Sequence, residues 1–432
     1  MKLFFFLFLS ANLMASWQDQ QEGVLIVPDG VRAIKANAFM NRQLTAVHFP
    51  KSLVSIGRAA FHNNQIKSVF FNDQLQEIDD RAFFRNEIQD LNLPASLLYL
   101  GSRAFANNSI KAVHIPSKIR TIKHYTFAKN QIETLILPDQ LLSIEAHAFQ
   151  ENHIQSFIAP SHLLEIEHHA FENNQIHTIE LNQSLQKIGQ SAFAMNQISS
   201  LTLPPLLTII AKDSFRNNQI DQLVLPDHIQ EIHQNAFFQN KIEHLIIPQN
   251  ITSIEGWAFA RNEIQSLQLP DHLEKISEGS FYANQIQSIK LPDSLEEIES
   301  WSFGDNQIKQ LSIPEKLKKI GARAFYKNHL TEVFFGDQCQ VIEDAAFRLN
   351  FISELYLPLS LQELGRNAFA NNPVSLVQIP ADVSLQLNSI SPGFFQSYQV
   401  HAQQANYYRE IEGEWFMDSE LNSNYSLIEE QL

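Results

Sequence analysis

Phenylalanine stands at positions 39, 61, 83, 105, 127, 149, 171, 193, 215, 237, 259, 281, 303, 325, 347 and 369, sixteen copies with a constant step of 22 residues and no insertion. A period this strict requires every segment to build the same small unit and its neighbours to bury its apolar side chains. Counting that phenylalanine as position 1, asparagine fills position 4 in fifteen copies, with Arg42 the exception. Position 6 is Ile, Leu or Val, and positions 9 and 11 are apolar in all sixteen copies. Position 12 is proline in thirteen copies and Asn72, Asn182 or Gly336 in the others. Positions 15 and 18 are mostly apolar and position 22 is small.

Alternation at positions 9 and 11 marks a short strand of period two. The proline that follows cannot donate to a ladder, so it ends the strand. Aspartate often comes next, as in Asp139, Asp227, Asp271 and Asp293, which suits a turn. The apolar residues at 15 and 18 and the next phenylalanine then return along the opposite side, closing one coil. A coil offers about six apolar side chains worth ~1.5–3 kcal/mol each, while ordering its backbone costs ~1–2 kcal/mol per residue. One coil is therefore unstable alone, and stacking is obligatory. At a strand spacing of about 4.8 Å, sixteen coils make a rod of about 75 Å with the phenylalanine rings as a spine. The asparagines are expected to form a second ladder, their amides satisfying backbone groups of the adjacent coil that no sheet reaches.

Stretches such as AFANNSIKAVHIPSKIRTI (104–122) and SFRNNQIDQLVLPDHIQEI (214–232) carry Ala/Ser-Phe, then Asn, then a strand closed by proline. In this the chain resembles the BspA-like class of bacterial leucine-rich repeats, over about residues 24–390. The resemblance implies a leucine-rich repeat solenoid: a right-handed curved coil with a parallel β-sheet on the concave face. One short strand per repeat would line that face, with turns and short strands or 3-10 segments on the convex side. It also implies a secreted or surface protein that binds other proteins, host matrix or plasma proteins among them. An adhesin-like role follows from it, and the alternative is an effector delivered into host cells that binds an intracellular protein. No cell-wall anchor motif is recognisable in the sequence.

The ends differ from the repeats. Met1 and Lys2, an apolar run from Leu3 to Leu9 and the small residues Ala15 and Ser16 have the layout of a secretory signal peptide, 1–15. That run is too short for a stop-transfer helix, and no later segment is long and apolar enough to span a bilayer. Residues 16–38 contain a half-repeat, Val24 to Ile34, that should cover the first coil; the repeats proper occupy 39–390. The periodicity fails after Pro380, where Gln386 and Ser391 fall on the columns of position 18 and the next phenylalanine. Residues 391–432, with Phe394, Phe395, Tyr407, Tyr408, Trp415 and Phe416, read as a C-terminal cap and an acidic tail.

With positions 9 and 11 inside, positions 8 and 10 point outward. Position 8 is mostly small or polar, but position 10 carries Phe70, Ile136, Ile158, Val224, Ile246, Phe334 and Tyr356, with His114 among the polar remainder. Contiguous exposed apolar residues usually mark contact sites, so these eight are the candidate protein-binding stripe. A net charge of −16 argues against a nucleic-acid partner and against an anionic membrane surface. Six histidines gather between 147 and 177, with His147 and His169 one period apart; without a ligand pattern of known spacing they read as a solvated face and not a metal site. The single cysteine, Cys339, replaces leucine at position 15 and reads as a core thiol. Trp257 and Trp301, both at position 21, read as surface or local packing on the return side rather than a second contact site. No nucleophile, phosphate-loop or metalloprotease motif is present. The expectation is a monomeric, non-catalytic binding protein without cofactor or metal.

Overall fold

A computed structural model describes residues 23–400, 406–411, 413–418 and 421; the expected signal peptide lies outside them. The chain divides into two compact units, Met1–Leu207 and Thr208–Leu432. Both are stacks of the same 22-residue coil, and the fold is a solenoid.

In the first unit the strands Val24–Ile26, Ala46–His48, Ser68–Phe70 and Asp90–Asn92 form one parallel sheet, each residue facing its counterpart one period away. These strands cover positions 8 to 10, with position 9 inward and 8 and 10 outward. On the other side of each coil, positions 17 and 18 form a second, two-residue strand. Ala33–Ile34, Ser55–Ile56, Glu77–Ile78 and Tyr99–Leu100 pair in parallel, and Thr121–Ile122 to Lys187–Ile188 repeat the pattern. The half-repeat takes its place in both ladders, Leu25 opposite Val47 and Ile34 opposite Ile56.

The second unit is built alike. Its longest short-strand sheet runs from Lys275–Ile276 to Ser384–Leu385. There Glu297 faces Lys275 on one side and Lys319 on the other, and Lys275 to Glu299 (2.6 Å) and Lys319 to Glu343 (2.8 Å) are ion pairs between coils. Exposed pairs of this kind contribute only ~0.2–1 kcal/mol each.

The repeat does not stop where the sequence count loses it. The coil after Phe369 is one residue short: Val383 is buried in the position 15 column, and Leu385 already faces Leu364. Ser389 then accepts from the Phe369 amide as Ala368 does from Phe347, which leaves buried Ile390 in the phenylalanine column. Beyond it come the helix Phe394–Val400 and an antiparallel hairpin, Asn406–Ile411 with Glu414–Met417.

The aromatic spine is present in both units. Consecutive rings from Phe39 to Phe193 lie 5.2–5.9 Å apart. From Phe215 to Phe369 they lie 5.0–6.0 Å apart, near parallel throughout. The asparagine ladder runs beside them. Asn152 Nδ2 donates to the carbonyls of Phe149 and Phe127, each at 3.0 Å, and its Oδ1 accepts from the Ile132 amide at 3.0 Å. One buried side chain thus satisfies three backbone groups in two coils. Where proline is missing at position 12, Asn72 Nδ2 donates to the Pro50 and Leu53 carbonyls of the preceding coil's turn, and its Oδ1 accepts from the Gln74 amide within its own.

A regularity invisible in the sequence flanks the spine. Positions 21 and 3 are left-handed in every coil, for example Ala59 (φ 51°) and Asn63 (φ 55°), or Arg323 (φ 57°) and Lys327 (φ 54°). Such backbone costs ~1–2 kcal/mol at a non-glycine residue. It turns amides toward the next coil: Ala59, Phe61 and Asn63 donate to the carbonyls of Asp80, Ala82 and Phe84 at 2.8 Å each. The third edge of the coil is therefore hydrogen-bonded without being a strand.

Candidate functional site

The outward side of the position 8 to 10 segments carries the candidate residues, seven on three-residue strands and Val224 just beyond the two-residue strand Gln222–Leu223, and each is solvent-exposed. In the first unit Phe70 is 75% exposed, between His48 and Asn92 in the ladder. Ile136 faces His114, and Ile158 follows one period later, so these three lie on successive strands. In the second unit Val224 (77% exposed) and Ile246 sit on neighbouring coils, and Phe334 and Tyr356 do so further on. Gln268, Lys290 and Ser312 separate the two pairs. The arrangement is a set of small apolar patches divided by polar side chains. The inward residues of the same strands (Val69, Phe157, Leu245, Leu355) are buried, which fixes the outward direction of their neighbours.

Polar contacts on this face are sparse. Tyr356 Oη donates to Glu354 Oε2 at 2.8 Å, and burial together with that carboxylate raises the phenol above its ordinary range. His244 Nδ1 lies 2.8 Å from Ser266 Oγ, and Gln310 Nε2 donates to Glu332 at 3.1 Å.

The edge beside the asparagine ladder adds residues that the position 10 column does not contain. In the second unit a shallow groove is lined by Asp305, Gln307, Lys327, His329, Leu349 and Phe351. Phe351 is exposed and meets His329 edge-on at 5.9 Å, and Lys327 bridges Asp305 at 2.9 Å. Position 5 is otherwise polar apart from Pro373 in the last copy, so Phe351 stands out once that column is compared across copies.

Cys339 is free and fully buried, and desolvation pushes its thiol up to about 12; at neutral pH it is protonated and shielded. Among the described residues no group of three or more His, Cys, Asp or Glu is placed to hold a metal ion. The histidine cluster is not uniformly a solvated face. His153, His162, His168 and His177 are exposed, but His147 and His169 are half-buried and stack at 4.7 Å, with Tyr125 4.2 Å from His147 and Arg103 over Tyr125. The coil repeat places flat rings of one column at stacking distance, and this withdraws two imidazoles from water. Burial holds His147 below its ordinary value, only partly offset by its hydrogen bond to Gln150.

Trp257 and Trp301 belong to a similar packed cluster. Tyr282 meets both edge-on, at 5.6 and 5.4 Å, and Tyr326 continues the row at 5.7 Å from Trp301.

Among known structures, a leucine-rich repeat protein of Bacteroides ovatus is 19% identical, with 82% of this chain and 86% of that one covered and a TM-score of 0.54. YopM of Yersinia enterocolitica is 22% identical over 82% of this chain and 78% of that one, with a TM-score of 0.45. The pneumococcal vaccine antigen PcpA is 22% identical over 66% and 73%, with a TM-score of 0.39. No curated protein matches the chain. The first of these structures shares the fold. Among the described residues no helix is long and apolar enough to cross a membrane. Six overlapping stretches, 23–132, 120–241, 209–303, 230–352, 274–400 and 337–425, match the BspA type leucine rich repeat region. Repeats of this kind are in general protein-interaction modules and typically non-catalytic, and this chain, matched along nearly all of its described length, belongs to the BspA-type leucine-rich repeat family.

Proposed function

We propose that the chain is a non-catalytic recognition protein, exported and surface-associated or released, that binds host or neighbouring-cell proteins through the outward face of its three-residue strands. The observation that supports this most is the exposure of branched and aromatic side chains at position 10, from Phe70 to Tyr356. These side chains are not needed for the core, which the inward positions fill. A rigid array of backbone-paired strands holds them without further ordering cost, so several shallow contacts can sum to useful affinity. Export rests on the sequence pattern of residues 1–15, and one copy of the chain suffices for the reading.

The test introduces a photo-crosslinking residue at Phe70, Ile158 or Ile246 and exposes the chain to host extracellular material. A protein cross-linked from these sites should be lost when Ile136→Ser/Ile158→Ser or Val224→Ser/Ile246→Ser is added, with melting temperatures unchanged. Cross-linking that ignores these substitutions, or is absent from every site, sinks the reading. Amino-terminal sequencing of protein from culture medium checks export: it should begin at Ser16.

A further inference from the structure

The edge beside the asparagine ladder holds an aromatic ring that the coil does not need. Phe351 is 58% exposed, while its neighbours Asn350 and Ile352 are buried and complete the ladder and the core without it. The first unit repeats the polar surroundings and omits the ring. There Lys129 bridges Glu151 at 3.2 Å beside Gln131 and His153, and Gln175 stands where a ring would follow. The second unit has Asp305 bridged by Lys327 at 2.9 Å, then Gln307, His329 and Phe351 in the same places. Folding therefore leaves Phe351 without a task.

The groove at Phe351 has a volume of about 490 Å³. His329 also lines a second groove of about 540 Å³, whose other walls include Gln287, Lys309 and Thr331. Both fall in the roughly 300–1,000 Å³ range of small-ligand clefts. Nothing in the first groove suits an incoming peptide backbone. Its Asn306 and Asn328 amides are spent on the carbonyls and amides of their own stack, so no strand edge is offered there. The outer side chains are different: among the described residues Gln307, His329 and Asn371 hold no side-chain hydrogen bond to protein. One apolar ring thus stands among amide, imidazole, carboxylate and ammonium groups. A side-chain amide offers a donor and an acceptor side by side, which suits neighbouring hydroxyls on a sugar, and an aromatic face accepts the C–H side of a pyranose. The coils here repeat at 5.4–5.5 Å between spine rings, close to the advance per sugar of an extended glycan.

We propose that these adjoining grooves bind an oligosaccharide. One sugar packs on Phe351, with hydroxyls toward His329 and Asn371 on the coils to either side. The next sugar lies one coil back, where Lys327 and Gln307 meet its hydroxyls, and the ion pair with Asp305 holds the Lys327 ammonium in place. The site uses positions 3 and 5, not the position 10 column, so it goes beyond the protein-binding reading and does not rest on it.

A printed array of mono- and oligosaccharides probed with the fluorescently labelled intact chain tests it, followed by isothermal titration with the strongest binder on the array. Oligosaccharides should bind, and the matching monosaccharides should not displace them at equal concentration. Phe351→Ala should weaken binding at least about tenfold, and Phe351→Tyr should retain it. Phe351 is exposed, so Phe351→Ala should melt as the parent does; Gln307→Ala provides a second, independent variant. An array without signal, or binding that survives both Phe351→Ala and Gln307→Ala, overturns the proposal. So does a photo-crosslinking residue at position 351 that captures polypeptide and no sugar from host extracellular material. Ile136→Ser/Ile158→Ser and Val224→Ser/Ile246→Ser should leave sugar binding unchanged. Absence of cross-linking from Phe70, Ile158 and Ile246 removes the protein-binding reading alone, and failure on the array removes this one alone.

Discussion

Asn152 shows how much one side chain of the repeat is asked to do. Its amide reaches the carbonyls of Phe127 and Phe149 and the amide of Ile132, and no strand or helix could replace those bonds. Asn152→Leu keeps the volume and orphans three buried groups, so it should cost about 3–5 kcal/mol, since each unsatisfied group costs ~1–3 kcal/mol; chemical denaturation measures the loss. Cys339, protonated and buried, should not react with a thiol reagent at pH 8 until the second unit unfolds. His147 gives the first unit a pH dependence of defined sign. Its folded-state affinity for protons is lowered from 6.5, first by burial and also by the His169 charge. The unfolded chain therefore binds the proton more readily, and the stability this provides is full above about pH 6.5 and fades as pH falls below it. His62 shifts in the same direction, through burial and then Arg85. His147→Asn should flatten, without abolishing, the fall in melting temperature between about pH 7 and pH 5.

Each coil is an element with three hydrogen-bonded edges, of which two are strands and one is a turn segment with left-handed residues at positions 21 and 3. The backbone at position 21 accepts Trp301, Arg323 and Ala345 in the left-handed region, so glycine is not required there by the fold. At Gly279 it is required by a neighbour: a Cβ would lie 2.5 Å from the Trp257 ring, which occupies that space. Gly279→Ala should therefore displace the indole, seen as a change in tryptophan emission, and lower the melting temperature of the second unit. Pairing it with Trp257→Ala should recover most of the loss. If Gly279→Ala alone is neutral, the ring is not locked as described.

For the molecule as a whole, the end of the stack is the vulnerable place. Val377, Ile379 and Ile390 are buried, Val377 faces Tyr408 in the ladder, and Tyr398 Oη donates to the Pro380 carbonyl at 2.9 Å while accepting from the Val383 amide. A chain ending after Ile390 loses this cover and presents an open parallel edge with apolar residues behind it. It should self-associate in sedimentation velocity with rising concentration and melt lower than the intact chain.

The 22-residue step and its apolar columns were enough to specify the coil, the phenylalanine spine, the asparagine ladder and the exposed residues at position 10. They act through local period and nearest-neighbour stacking, which a linear pattern records directly. The short final coil escaped the count because Val383 and Ile390 stay buried in their columns while the spacing slips by one residue between them. The left-handed pairs at positions 21 and 3 left no glycine signature, because hydrogen bonds to the next coil offset their cost. The hairpin could not be placed from its own residues: whether Tyr408 or Phe416 faces water depends on pairing with Leu376–Ile379, a contact between segments that share no period.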